Sequence, residues 1–252
     1  MGSHRIARDV LIAMTGALLV FFAWEAVELA GDVRPGALGV DLHTYLAATR
    51  HWLETGHFYN ARQLAGPYAI EGAGATYSGD ILYPPIALLL FLPFLVLPQP
   101  LWWAIPAAVV GWVVWRHRPA AWAWPIMAAC LAWPISLAVM MAGNPAIWIV
   151  AAVALATLYG WPGVLVLIKP SFAPFALVGM HRRSWWVALA VCGGISLLFG
   201  SLWMDWFRAA ILYPTNGGVA YSLTQMPLAV LPLAAWAGSS TRPVRLRVPS
   251  TS

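Results

Sequence analysis

Charge is what this sequence has least of: only 9% of its residues are Asp, Glu, Lys or Arg. A soluble domain normally carries about 25% charged residues. The shortfall excludes an ordinary water-facing surface, so the exterior must meet an apolar medium. Lysine is almost missing, with Lys169 the sole example. Cysteine is scarce too. Cys130 and Cys192 both sit inside apolar stretches, which excludes a disulfide framework and offers no metal-ligand spacing. The 14 basic residues outnumber the 9 acids, giving a formal charge of +5, yet they form no long run. Scattered short groups of this kind exclude a nucleic-acid surface and read as topology signals. Internal repeats and inverted pseudo-symmetry are lacking, which argues against a transporter built from repeats.

What the chain does have is apolar length. Hydrophobic residues make up 61%, and there are 16 Trp, whose indoles favour the lipid–water boundary. Eight apolar stretches are spaced along it: Val10 to Ala30, Ile81 to Leu97, Leu101 to Trp115, Ala120 to Met141, Ala146 to Leu158, Val164 to Met180, Trp185 to Trp203 and Leu223 to Ala237. The first is long enough for the ~20 residues a bilayer core requires. No small-residue cleavage site follows it, so it reads as a retained anchor. The expectation is an all-α, polytopic transmembrane bundle of about eight spans, a single domain over residues 1–252. An outer loop covers residues 31–80 and a cytoplasmic tail residues 239–252. Arg5 and Arg8, the His181-Arg182-Arg183 group and the tail arginines Arg242, Arg245 and Arg247 place both termini in the cytoplasm of a bacterial-type plasma membrane. Arg116 and Arg118 break the pattern by falling outside. Either the count is off by a re-entrant pair, or those two arginines have a function.

The outer loop holds a second signal. From Asp41 to Glu54, Leu42, Tyr45, Leu46 and Leu53 recur at helical spacing, with His43, Arg50 and Glu54 on the other side. This predicts an amphipathic helix lying at the membrane surface. Asp41 stands where an N-cap would, and a capping role and a catalytic role are compatible there.

Several segments in order resemble glycosyltransferase family 87. They are Val40-Asp41-Leu42-His43-Thr44-Tyr45, Phe58-Tyr59-Asn60, Leu82-Tyr83-Pro84-Pro85, Leu97-Pro98 with Leu101-Trp102-Trp103, Gly143-Asn144-Pro145 and Lys169-Pro170. The resemblance implies a GT-C-like helical module with a long first outer loop. It implies transfer of a sugar, commonly mannose, from a polyprenyl-phosphate carrier to the hydroxyl of a glycan or lipid acceptor. No cofactor or metal is implied. The family's catalytic carboxylate falls at Asp41. Family members are usually longer, so this chain resembles a short form: a minimal enzyme, a subunit or an inactive relative. A non-catalytic carrier-binding protein on the same fold, and a transporter, remain as alternatives.

Such a transfer requires a base for the acceptor hydroxyl, positive charge for the departing phosphate, and a site that orients both substrates. Asp41 is the expected base. Arg116, Arg118 and Lys169 are the candidates for phosphate, since arginine grips phosphate bidentately and a mid-span lysine must face the interior or a wet cavity. Surface charge for the arginines, and snorkelling or a buried carbonyl for the lysine, are the alternatives. Tyr83 and Asn144 are candidate hydrogen-bonding residues or simple helix-end features. His43 and His51 are candidate sugar or phosphate contacts or bystanders. Glu28, with Glu25 and Asp32 on one face of the first span, is a candidate cavity residue or an interfacial carboxylate. The Trp102-Trp103 and Trp185-Trp186 pairs read as interface anchors.

Overall fold

Residues 2–32, 38–66, 79–213 and 222–239 are described by a computed structural model. Among them the chain is helical and has no strand beyond one isolated bridge, Pro119 to Ser239. The all-α expectation therefore holds. Helix α1 (Gly2–Asp32) contains Ile6–Leu29, long and apolar enough to cross a membrane. It is the one such helix among the described residues, or one of up to three if each of two bent helix pairs counts as a single crossing.

Helix α2 (Val40–Thr55) is the amphipathic element the loop sequence predicts. Leu42, Tyr45 and Leu46 are buried, while His43, Arg50 and Glu54 are exposed. Leu53 departs from the pattern and is exposed. A short helix, α3 (Ala61–Ala65), follows, opened by a capping box between Asn60 and Gln63.

The Ile81 to Leu97 stretch does not run as one crossing. Proline shapes it: Pro84 and Pro85 start a 3-10 turn, α4 (Leu88–Phe91) lasts one turn, and Pro93 returns the backbone to 3-10 geometry. Both ends stay at one end of the bundle. Tyr83 packs edge-on to Tyr45 at 5.1 Å, Phe91 stacks on Tyr45 at 5.0 Å, and Phe94 meets Trp102 at 4.9 Å. The segment turns back on itself, so the next helix starts at the end where Tyr83 and Tyr45 lie.

That helix is α5 (Leu101–His117). Helices α6 (Ala123–Leu131) and α7 (Pro134–Ala142) form a pair bent by 58°. The break sits at Trp133, held extended by the following proline, and the Ser136 hydroxyl bridges it by donating to the Cys130 carbonyl. Helix α8 (Ala146–Tyr159) is buried on most sides. The next expected span is irregular: 3-10 geometry over Trp161–Ile168 and Pro170–Phe172, then α9 (Ala173–Ala176). Helices α10 (Arg183–Leu197) and α11 (Leu202–Phe207) follow, with a π turn over Arg208–Leu212. After a 3-10 turn at Leu223–Gln225, α12 (Pro227–Ala237) closes the bundle.

Two ends can be told apart. At one, Trp102 Nε1 donates to the Gly143 carbonyl and the Gly39 amide donates to the Met141 carbonyl. At the other, His117 bonds Thr157, Ala120 donates to the Gly238 carbonyl, and Arg182 donates to the Leu158 carbonyl. Three of the four expected interface tryptophans are tied inside instead. Trp102 is fully buried, Trp103 donates to the Met140 carbonyl, and Trp185 donates to the Ala176 carbonyl; only Trp186 is largely exposed. The expected tail from residue 240, the loop segments 33–37 and 67–78, and residues 214–221 lie outside the described residues, as does the side chain of Asp32.

Candidate active site

Four segments, far apart in sequence, meet at the first of these ends. Gly39, not Asp41, precedes helix α2, with a left-handed φ of +73°. Asp41 is thus a first-turn helical residue, and its carboxylate is not spent on capping. It accepts a hydrogen bond of 2.6 Å from Asn144 Nδ2. Asn144 lies between Gly143, which ends α7 at φ +68°, and Pro145 at the start of α8. Its Oδ1 accepts from Lys169 Nζ at 2.8 Å, from the Ala146 amide at 3.0 Å and from the Tyr83 hydroxyl at 3.3 Å.

This donor set fixes the amide's orientation. An ammonium and a backbone N–H only donate, so the oxygen must face them. The NH2 group is left to face the carboxylate, which only accepts when ionised. The amide therefore links a buried cation to a half-buried anion.

Lys169 is held in place by its neighbours in sequence. The residue before a proline favours extended backbone, and Lys169, before Pro170, has φ −122° and ψ 93°. That break turns its side chain into the bundle, where it is 2% exposed. A charge at that depth costs roughly 2.5–3.5 kcal/mol on insertion scales. Several contacts offset this: Asn144, the Gln225 Oε1 at 2.6 Å, and the faces of Tyr83 and Phe172 at 5.5 and 5.4 Å.

Burial raises the Asp41 carboxyl above the usual aspartate value; the Asn144 hydrogen bond and the Lys169 charge oppose that rise. A carboxylate shifted this way is a better proton acceptor than a free one.

Asp41, Tyr83, Asn144 and Lys169 are thus brought together. Lys169 stands behind Asn144, so it positions the amide and does not reach the open side of Asp41. Arg116 and Arg118 are not part of the group. They end α5, fourteen and sixteen residues beyond Trp102, which puts them some 20 Å away at ~1.5 Å per residue. His43 is exposed, with its Nε2 3.3 Å from Gln99 Oε1. His51 lies one helical turn from Thr55 and bonds its hydroxyl. Glu28 is exposed near the end of α1, and no contact among the described residues joins it to the cluster.

Two residues of the site escaped sequence reasoning. Gln225 carried a usable signal, being an amide inside an apolar stretch. Arg62 carried none. Its guanidinium pairs with Asp80, the Arg62 side chain being 35% and that of Asp80 7% exposed. Gly79 beside Asp80 lies against Thr44, one turn along α2 from Asp41: a β-carbon there would be 3.2 Å from Thr44 Cγ2. The Arg62–Asp80 pair therefore lies on the α2 side of the bundle, near the turn that carries Asp41. Among the described residues no group of three or more His, Cys, Asp or Glu side chains is placed to hold a metal ion. No protein-family model, curated protein or solved structure matches the chain.

Proposed function

We propose that this protein is a membrane glycosyltransferase that moves a sugar, mannose by resemblance, from a polyprenyl-phosphate carrier to an acceptor hydroxyl, with Asp41 as general base. The observation that carries this reading is the convergence of Asp41, Tyr83, Asn144 and Lys169 on one hydrogen-bonded cluster in which the Asp41 carboxylate is only partly buried. The acceptor oxygen attacks the anomeric carbon, its proton passes to Asp41, and the bond from that carbon to the phosphate oxygen breaks with its electron pair leaving on phosphate. Asn144 orients the carboxylate, and Lys169 with Gln225 orients Asn144. Arg62, a partly exposed cation paired with Asp80 near the α2 end, takes the phosphate role that Arg116 and Arg118 are too distant to fill.

The membrane setting is supported by α1 and by charge placement. With the Asp41 end outside, Arg116, Arg118, Arg182 and Arg183 all fall at the inner end, as the positive-inside rule asks. The exception in the linear reading disappears once Ile81 to Leu97 is re-entrant.

The test is sugar transfer by the purified protein in lipid nanodiscs, from a panel of polyprenyl-phosphate sugars with membrane extract as acceptor source. Transfer from at least one donor is expected. A folded protein inactive with every donor would contradict the reading and favour a non-catalytic carrier-binding protein.

A further inference from the structure

Below the Asp41 cluster an apolar cleft of about 540 Å3 lies between α1, α5, α6, α8 and α12. Leu19, Trp103, Gly111, Val114, Met127 and Leu231 mark its walls. No charged or amide side chain lines it, and its one hydroxyl, on Thr15, is already donated to the Leu11 carbonyl. A buried water requires two to four polar partners, so water is a poor occupant of this space. The chemistry of the Asp41 cluster is not inside the cleft either, because Trp103 stands between them.

The dimensions narrow the occupant. From Trp103 to Val114 the cleft follows eleven residues of α5, about 16 Å at ~1.5 Å per residue. That is roughly half of the ~30 Å hydrocarbon core, the depth of one leaflet. The Trp103 end lies beside the buried Gly39, where a β-carbon would lie 3.3 Å from Trp103 Cη2 and 3.6 Å from His43 Cε1. His43 and Gln99, 3.3 Å apart and both exposed, are therefore the polar side chains near this end, with Asp41 two residues before His43 on α2. A hydrocarbon chain in the cleft would leave its polar end among these side chains.

We infer that the cleft is a lipid site, holding one acyl chain of an ordinary bilayer lipid from the Asp41-side leaflet, with the headgroup at His43 and Gln99. The depth of one leaflet fits such a chain; a polyprenyl chain is longer and would run past Val114. Under the transfer reading, the same placement makes an acyl lipid the acceptor. The lipid site itself rests on α1 crossing the membrane and not on the transfer chemistry.

The experiment uses the full chain in nanodiscs containing a phosphatidylglycerol whose acyl chain carries a mid-chain diazirine. After irradiation, labelled residues are mapped by mass spectrometry. Labelling is expected on the cleft residues Val114, Met127, Ala128 and Leu131, and on the outward α1 residues Val20 and Val27, which are both 70% exposed. The Gly111→Leu variant fills the cleft; a β-carbon at Gly111 meets no atom within 4 Å, so the fold tolerates it. It is expected to lose the cleft labels and keep those on α1. Cleft labels absent from the wild type, or unchanged in Gly111→Leu, would overturn the inference while leaving the membrane reading intact. Absence of the α1 labels would overturn both. Displacement of the cleft labels by added polyprenyl phosphate would overturn the acyl-chain assignment and give the cleft to the carrier.

Discussion

In the proposed transfer Asp41 has two opposed demands on it, and the surrounding residues meet both. A general base must be ionised to act, yet tight burial favours the protonated form. The Asn144 amide and, behind it, the Lys169 charge keep the carboxylate usable without a direct ion pair that would remove its basicity. The pH dependence follows with opposite signs for stability and activity. Because burial raises Asp41, the folded protein binds this proton more tightly than the unfolded chain does. Its contribution to stability is full below the unfolded value near 3.8 and is lost as pH rises through the folded value. Activity rises across that folded value as the base ionises. Thermal melts of wild type and Asp41→Asn across this range should therefore differ most in wild-type favour at the acid end, while the wild-type transfer rate grows towards neutral pH. A wild-type stability advantage that grows with pH would show that the carboxyl is depressed and not raised.

At the scale of elements, breaks in the helices matter more than the helices themselves. Three of the four cluster residues sit at one: Tyr83 before Pro84-Pro85, Asn144 between Gly143 and Pro145, and Lys169 before Pro170. Prolines limit what the preceding residue does, and Gly143 supplies the left-handed turn that swings α7 into α8. Gly143→Ala should be costly. The left-handed conformation costs a non-glycine residue roughly 1–2 kcal/mol, and the new β-carbon would also lie 3.0 Å from Trp103 Cζ2 and 3.1 Å from Leu42 Cβ. A lowered melting temperature is expected in detergent, whereas Gly111→Ala, mid-helix and in open space, should leave it unchanged or raise it slightly. Much of this was legible in sequence. The spacing of Leu42, Tyr45 and Leu46 gave α2, and Lys169 announced itself as a charge in an apolar stretch. What stayed hidden was the direction of the chain. Ile81 to Leu97 has the composition of a crossing, and only the pairing of Tyr83 and Phe94 with neighbours at the same end reveals its return. Arg62 was illegible because its place depends on a contact with Asp80 eighteen residues on.

For the whole molecule, that one reversal reorganises the charge map. Arg116 and Arg118, which linear counting put beside the base, move to the opposite end with Arg182 and Arg183. The bundle thus has an acid-bearing end around Asp41 and a basic end where His117 bonds Thr157 and its carbonyl accepts from Ser239. Single cysteines at Gln99 and Arg118, in a chain whose Cys130 and Cys192 are replaced by alanine, should react with an impermeant maleimide from opposite sides of the membrane. Reaction at Gln99 from the outer side and at Arg118 from the inner side is the expected result; the reverse pattern, Gln99 inside and Arg118 outside, would restore the crossing at Ile81 to Leu97 and undo the proposed orientation.

The most direct measurement is the transfer rate of wild type beside Asp41→Asn in the same nanodiscs, with the donor that supports turnover. The substitution keeps the side chain's size and its place beside Asn144, and it removes the proton acceptor. Loss of transfer with an unchanged melting profile near neutral pH is the expected result. Undiminished transfer by Asp41→Asn would contradict the central claim and place the base elsewhere.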